Sequence, residues 1–189
     1  IAQLQYYLQQ PNIAESTNKT TALYLHAYAL FNQKDFAAAE PIFRQYTAAM
    51  ANNTANTTYA DALNRIGDCL FQARDFQQAS DVYHQVAELK SNGADYAILQ
   101  QGYAQGLLHD YAEKAAVLTS LIEQYPRSDY ADDAMYEIAR AQLQQNKNED
   151  AIHTYQQLLK KYPNSNQAPK SSLELGMTYR TTKQYDQAI

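Results

Sequence analysis

The side chains able to do chemistry are few and scattered. Histidine occurs only as His26, His84, His109 and His153, and the one cysteine is Cys69. A zinc-protease pair needs two histidines a helical turn apart with a glutamate beside the first, and no H-E-x-x-H segment is present. A cysteine nucleophile needs a neighbouring base, and no histidine lies near Cys69 in sequence. Cys69 sits between Gly67 and Leu70 and reads as a buried structural thiol. His26 reads as a packed histidine with a hydrogen-bond partner. Asp132-Asp133 and Glu149-Asp150 fall near expected helix starts, where the helix dipole favours negative charge. Gly102-x-x-x-Gly106 permits close helix packing or weakens the end of its helix. Asn18-Lys19-Thr20, Asn52-Asn53-Thr54 and Asn56-Thr57-Thr58 match the glycosylation triplet, a pattern common by chance in Asn/Thr-rich loops. No catalytic, metal or cofactor site is expected, and the chain is read as a non-enzyme.

Composition says what must hold these residues. The 189 residues are 46% hydrophobic and 19% charged, enough apolar content for a core. There are 30 Ala and 22 Gln against 5 Gly and 5 Pro, a balance that favours helices over tightly turned sheets. A net charge of −5 with scattered Lys and Arg argues against nucleic acid. One cysteine excludes an intrachain disulfide and any multi-cysteine zinc site. No apolar run of membrane-spanning length occurs, and Ile1 opens no signal-peptide pattern.

The elements themselves come from an internal repeat. Asp35-Phe36-Ala37-Ala38-Ala39, Asp75-Phe76-Gln77-Gln78-Ala79, Asp110-Tyr111-Ala112-Glu113-Lys114 and Gln184-Tyr185-Asp186-Gln187-Ala188 align, with Lys147-Asn148-Glu149-Asp150-Ala151 as a weaker copy. The aromatic slot recurs at 36, 76, 111, 148 and 185, so the spacings are 40, 35, 37 and 37 residues. A small residue stands nine places earlier each time: Ala27, Gly67, Gly102, Ala139 and Gly176. Each copy reads as two helices. Leu63, Ile66, Gly67 and Leu70 share one helical face, and Phe76, Ala79, Tyr83 and Val86 share the next. Met135, Ile138 and Ala139, then Ala151, Tyr155, Leu158 and Leu159, repeat the scheme. The small residues let two helices approach closely. Tyr125-Pro126 and Tyr162-Pro163 stop the second helices, and Ser128 or Asp129, and Ser165 or Asn166, are available to cap the next.

This pattern resembles the tetratricopeptide repeat (TPR) family. The resemblance implies an all-α, right-handed superhelical solenoid of antiparallel helix pairs. Residues 1–19 are then the end of a preceding repeat helix plus a linker. Five repeats follow at 20–59, 60–94, 95–131, 132–168 and 169–189, the last incomplete. The Tyr-Pro-x-Ser endings followed by Ala131 and Ala168 look most like envelope TPR proteins of Gram-negative bacteria. That implies a periplasmic or outer-membrane-associated location, with the cytoplasm as the alternative.

Repeat three departs from the pattern. Lys114 replaces an alanine, and Gln101 and Gln105 stand where apolar residues are expected, so its first helix is expected to be shifted or exposed along a polar seam. Asn148 fills an aromatic slot, and Pro41 is placed near the start of a second helix, where first-turn N–H groups are unpaired anyway.

TPR-like stacking implies that the first helices line a groove. The groove candidates are Tyr24, Tyr28, Phe31, Asn64, Asp68, Tyr96, Tyr103, Tyr136 and Arg140, joined by Leu99, Leu173 and Met177. Tyr83, Tyr155 and Tyr179 read as core. The family's chaperone-adaptor clamp places paired Lys and Asn at positions matching Tyr24, Tyr28 and Asn64, and only the Asn agrees. The function implied is an interaction scaffold taking a protein or peptide partner. The alternatives are a structural spacer or self-assembly arm, or a regulatory arm of a larger protein. Both ends fall within expected helices, so the chain reads as an excerpt of a longer array, and end-to-end association of copies is expected.

Overall fold

The computed structural model describes residues 1–9 and 17–188, the side chains of Thr17 and Asn18 excepted. Within them the chain forms ten α-helices, one 3-10 turn (Tyr185–Gln187) and no strand. The helices are α1 (Ala2–Leu8), α2 (Thr17–Asn32), α3 (Phe36–Ala49), α4 (Thr57–Gln72), α5 (Phe76–Leu89), α6 (Ala94–Leu107), α7 (Tyr111–Gln124), α8 (Ala131–Gln144), α9 (Asn148–Lys161) and α10 (Ala168–Thr181). The chain divides into two compact bodies, Ile1–Ala97 and Ile98–Ile189, the division falling within α6. In the first, α1 packs on α2, α2 on α3, α3 on α4, and α4 on α5. In the second, α7 packs on α8, α8 on α9, and α9 on α10.

The turns inside each helix pair are made without glycine. Lys34, Arg74, His109, Asn146 and Lys183 take left-handed backbone conformations, with φ between 59° and 64°. Such a residue reverses the chain within three positions at a cost of about 1–2 kcal/mol. The aspartates at the head of the repeat motif then start the second helices. Asp35, Asp75 and Asp110 accept hydrogen bonds from the backbone N–H of Ala38, Gln78 and Glu113 at 3.2, 3.2 and 3.0 Å. In α9 the capping position is Lys147, which has no such bond, and Glu149 and Asp150 in the first turn favour the helix start electrostatically.

The small residues mark where the paired helices touch. A Cβ on Gly67 would lie 2.5 Å from the Tyr83 ring, and one on Gly102 would lie 2.5 Å from Leu118. Ala27, Ala139 and the second-helix alanines Ala39, Ala79 and Ala151 are wholly buried. Phe43, Ile66, Tyr83 and Val86 fill the first core, and Leu118, Leu121, Tyr155 and Leu158 the second.

Several expectations need correction. Helix α2 begins at Thr17, inside the stretch read as linker, while Pro11, the linker residues 12–16 and Ile189 lie outside the described residues. Pro41 is the sixth residue of α3, a turn deeper than expected, so α3 lacks one N–H donor there. Ser128 and Ser165 do not cap α8 and α10 directly. Their hydroxyls accept from the N–H of Tyr130 and Gln167, at the capping positions themselves. Helix α6 is in register, and Gln101 is buried rather than part of an exposed seam. His26 is buried as expected, but neither ring nitrogen has a hydrogen-bond partner among the described residues.

Candidate functional site

Six of the groove candidates fall in the first body, and five of them converge. Tyr24 and Tyr28, one turn apart on α2, donate to the same Oδ2 of Asp61 on α4, at 2.8 and 2.5 Å. Asp68, a further two turns along α4, accepts through Oδ1 from Tyr83 on α5 and Tyr96 on α6, both at 2.7 Å. Between the two carboxylates lies Arg65. Its Nη1 reaches Asp68 Oδ2 at 2.5 Å and its Nε lies 3.7 Å from Asp61. The Phe31 and Tyr96 rings hold its guanidinium from two sides, at 5.4 and 5.5 Å. Asn64 does not join this surface. It is buried, and its amide donates to the Gly93 carbonyl at 3.3 Å.

Asp61 and Arg65 are the residues that sequence reasoning missed. Asp61, Arg65 and Asp68 follow an i, i+4, i+7 stripe along one face of α4. That stripe, beside candidate tyrosines on the neighbouring helix, was the available signal. Burial pushes the Tyr28 hydroxyl up to about 12, helped by its bond to Asp61. Tyr24 and Tyr83 are raised further, again chiefly by burial. The hydroxyls therefore stay protonated and keep donating at any physiological pH.

The remaining candidates, Tyr103, Tyr136 and Arg140, lie in the second body. Glu137 and Arg140 are three residues apart on α8, with Arg140 Nη1 at 3.1 Å from Glu137 Oε1. Glu137 also pairs with Lys114 of α7. Lys114 and Glu137 are 7% and 8% exposed, whereas Arg140 projects outward. The Tyr136 ring is the hub. Arg140 lies 5.8 Å from its centroid, the Lys170 ammonium of α10 lies 6.0 Å away, and the Tyr155 ring of α9 is tilted against it at 6.1 Å. Tyr155 is wholly buried, and its hydroxyl has no hydrogen-bond partner among the described residues. Half-buried Tyr103 is pushed up to about 12 by burial and then by Asp133 and Glu137. Leu99 is buried, while Leu173 and Met177 are 65% and 46% exposed.

Lys114 has a local explanation. Four residues after the small position, the first helices of repeats one and two carry Phe31 and Phe71, which pack edge-on against Phe36 and Phe76. Repeat three has Gly106 there. A Cβ on Gly106 would lie 3.0 Å from Lys114 Cδ, so the volume given up by the aromatic is taken by the lysine stem. The lysine occupies the place of Ala39 and Ala79 and carries its charge to Glu137.

Among the described residues no three His, Cys, Asp or Glu side chains lie close enough to hold a metal. The Cys69 thiol is buried and pushed up to about 12, chiefly by desolvation, which leaves it un-ionised and inert. No described helix is long and apolar enough to cross a membrane. What both regions offer is half-buried aromatic rings framed by charges on rigid helices.

Comparison with known proteins agrees with the repeat architecture. Tetratricopeptide repeat profiles match residues 24–94, 96–128 and 133–165, well over half of the chain. Among solved structures, MamA 41-end from Desulfovibrio magneticus RS-1 is 18% identical, with a TM-score of 0.74 over 93% of this chain and 91% of that one. YrrB, described as a TPR protein with an unusual peptide-binding site, is 12% identical, with a TM-score of 0.69 over 94% of this chain and 85% of that one. No curated protein matches the sequence. By its repeats and its fold, the chain belongs to the tetratricopeptide repeat family.

Proposed function

We propose that the chain is a non-enzymatic scaffold that binds a protein or peptide segment on the faces of its first helices. The carrying observation is the set of half-buried rings Tyr24, Tyr28, Phe31 and Tyr96 around Arg65, the tyrosines held by hydrogen bonds and Phe31 by its contacts with the guanidinium and neighbouring rings. Rigid aromatics give contact area at low entropic cost, and fixed polar tips give direction. YrrB, with its peptide-binding site, offers a precedent in a chain of similar fold. The test is a peptide array probed with the full chain and with Tyr28→Ala/Phe31→Ala, the variant being checked for retained helicity by circular dichroism. Specific capture that falls at least about tenfold in the variant supports the face. An array that captures nothing, or a folded variant that captures equally well, overturns it.

A second reading, self-assembly, is favoured by the exposed Leu173 and Met177 on α10. Light scattering across a concentration series decides it. Association abolished by Leu173→Glu supports assembly, and a monomer at all concentrations rejects it.

A further inference from the structure

Asn92-Gly93 is the one place in the chain where glycine follows asparagine. Asn92 is exposed, and the pair forms the middle of a tight turn between α5 and α6, closed by the Ala94 N–H on the Ser91 carbonyl at 3.1 Å. The fold demands the glycine. Gly93 takes a φ of 84°, and a Cβ there would also lie 3.1 Å from the buried Asn64 amide. The Gly93 carbonyl holds the start of α6, accepting from the Ala97 N–H at 3.0 Å and from Asn64 at 3.3 Å. The peptide unit joining residues 92 and 93 is held differently. Among the described residues neither its carbonyl nor its N–H makes a hydrogen bond, so it can rotate while the bonds on either side persist.

From this geometry we propose that Asn92-Gly93 is a site of spontaneous covalent modification, at which the Gly93 nitrogen closes on the Asn92 side chain and residue 92 becomes aspartate and isoaspartate. The Gly93 nitrogen gives its proton to hydroxide and attacks Cγ of Asn92. A C–N bond forms there as the bond from Cγ to the side-chain nitrogen breaks, and that nitrogen takes a proton and leaves as ammonia. Water then opens the cyclic imide. Cleavage between the Gly93 nitrogen and Cγ gives aspartate. Cleavage between that nitrogen and the main-chain carbonyl carbon gives isoaspartate, in which the backbone runs through the side chain. The sum consumes one water and releases one ammonia, with no change of oxidation state. Isoaspartate lengthens the turn by one carbon and adds a carboxylate three residues before Asp95. The Gly93 carbonyl is then displaced from Ala97 and from Asn64, whose buried amide loses its acceptor. The first turn of α6, which carries Tyr96, loosens as a result.

The test is to age the folded full chain in neutral and mildly alkaline buffer, digest it at acidic pH, and quantify each asparagine peptide by mass spectrometry. Electron-transfer fragmentation separates isoaspartate from aspartate. Asn164, before Ser165, and Asn52, before Asn53, are exposed comparators within the same chain. Asn92 is expected to convert at least about fivefold faster than either, because glycine puts no side chain in the path of attack. The rate rises with pH, and isoaspartate accompanies aspartate. Asn92→Ser abolishes the conversion. Hydrogen exchange around Ala97 is expected to be faster in aged than in fresh chain, and unchanged on ageing in Asn92→Ser. Conversion at Asn92 no faster than at Asn164 and Asn52, or aspartate as the sole product, overturns the imide route. Isoaspartate formed with no change in exchange at the start of α6 overturns the loosening.

Discussion

Helices α4 and α8 carry the same motif with the charges exchanged. In α4 the basic residue comes first, Arg65 then Asp68, and in α8 the acidic one does, Glu137 then Arg140. Each pair lies beside a buried tyrosine of the following helix, Tyr83 or Tyr155. The order decides what that tyrosine can do. With the carboxylate second, the Tyr83 hydroxyl is satisfied, Tyr96 joins it on the same oxygen, and the cluster closes on itself. With the guanidinium second, Tyr155 has no acceptor among the described residues, and the carboxylate turns inward to a buried lysine. One arrangement stores its hydrogen bonds internally. The other leaves the Tyr155 hydroxyl unanswered among the described residues, with Arg140 and Lys170 set against the adjoining Tyr136 ring.

The comparison breaks most visibly at Glu137. Glu137→Leu leaves Lys114 buried without its partner, and the loss of stability is expected to reach about 3–5 kcal/mol in urea unfolding. A loss below about 1 kcal/mol would show that Lys114 escapes to water and that the pair is no anchor. Asp68→Ala comes next. It strips an acceptor from two tyrosines and a partner from Arg65, for about 2–4 kcal/mol. The sharpest contrast is smaller. Tyr83→Phe removes a bond to a carboxylate and is expected to cost about 1–2 kcal/mol, whereas Tyr155→Phe removes an unanswered hydroxyl and is expected to lie within about 0.5 kcal/mol of neutral. Equal costs for the two would remove the distinction between the faces.

Proton linkage gives the smallest effects. Tyr28 is raised from 10.0 to about 12 in the folded chain, so its contribution is complete below pH about 10 and is lost between about 10 and 12. Spectrophotometric titration in the tyrosinate band is expected to lose one tyrosine from the component near 12, which Tyr103 shares, on Tyr28→Phe. His26 moves the other way: burial, then the amino terminus, lowers it from 6.5. The unfolded chain then binds the proton first, so this contribution is complete above about 6.5 and falls as the solution is acidified. His26→Phe is expected to flatten the melting temperature between pH 7 and 5.

The two-helix repeat was legible because it is enforced sterically. Gly67 and Gly102 each face a large side chain at a distance no Cβ tolerates, and such constraints leave a mark at fixed spacing. The site was legible only in part. Tyr24, Tyr28 and Asp68 were candidates by the register of the first helices and Phe31 and Tyr96 as aromatics beside it, but Asp61 and Arg65 required knowing which charges pair across helices. Asn64 had the right register and the wrong environment, since the Gly93 carbonyl covers it. Lys114 was seen as a departure and its remedy overlooked. The absence of an aromatic at Gly106, read together with the lysine, was the missing clue. His26 could not be foreseen, because packing alone decides whether a buried imidazole meets a donor or an acceptor.

The buried lysine also restricts how such an array can be rearranged. It meets the residue two places before the small position of the next repeat, which is Glu137 here. The same place holds Arg65 in repeat two, Gln100 in repeat three and Glu174 in repeat five. Moved ahead of repeat two by unequal recombination, Lys114 would be driven against an arginine. Duplicated in tandem, it would face a glutamine that cannot neutralise it. Only ahead of repeats four and five is a carboxylate waiting. The side chain therefore works as an address, fixing where its repeat can be spliced into the series without undoing the stack.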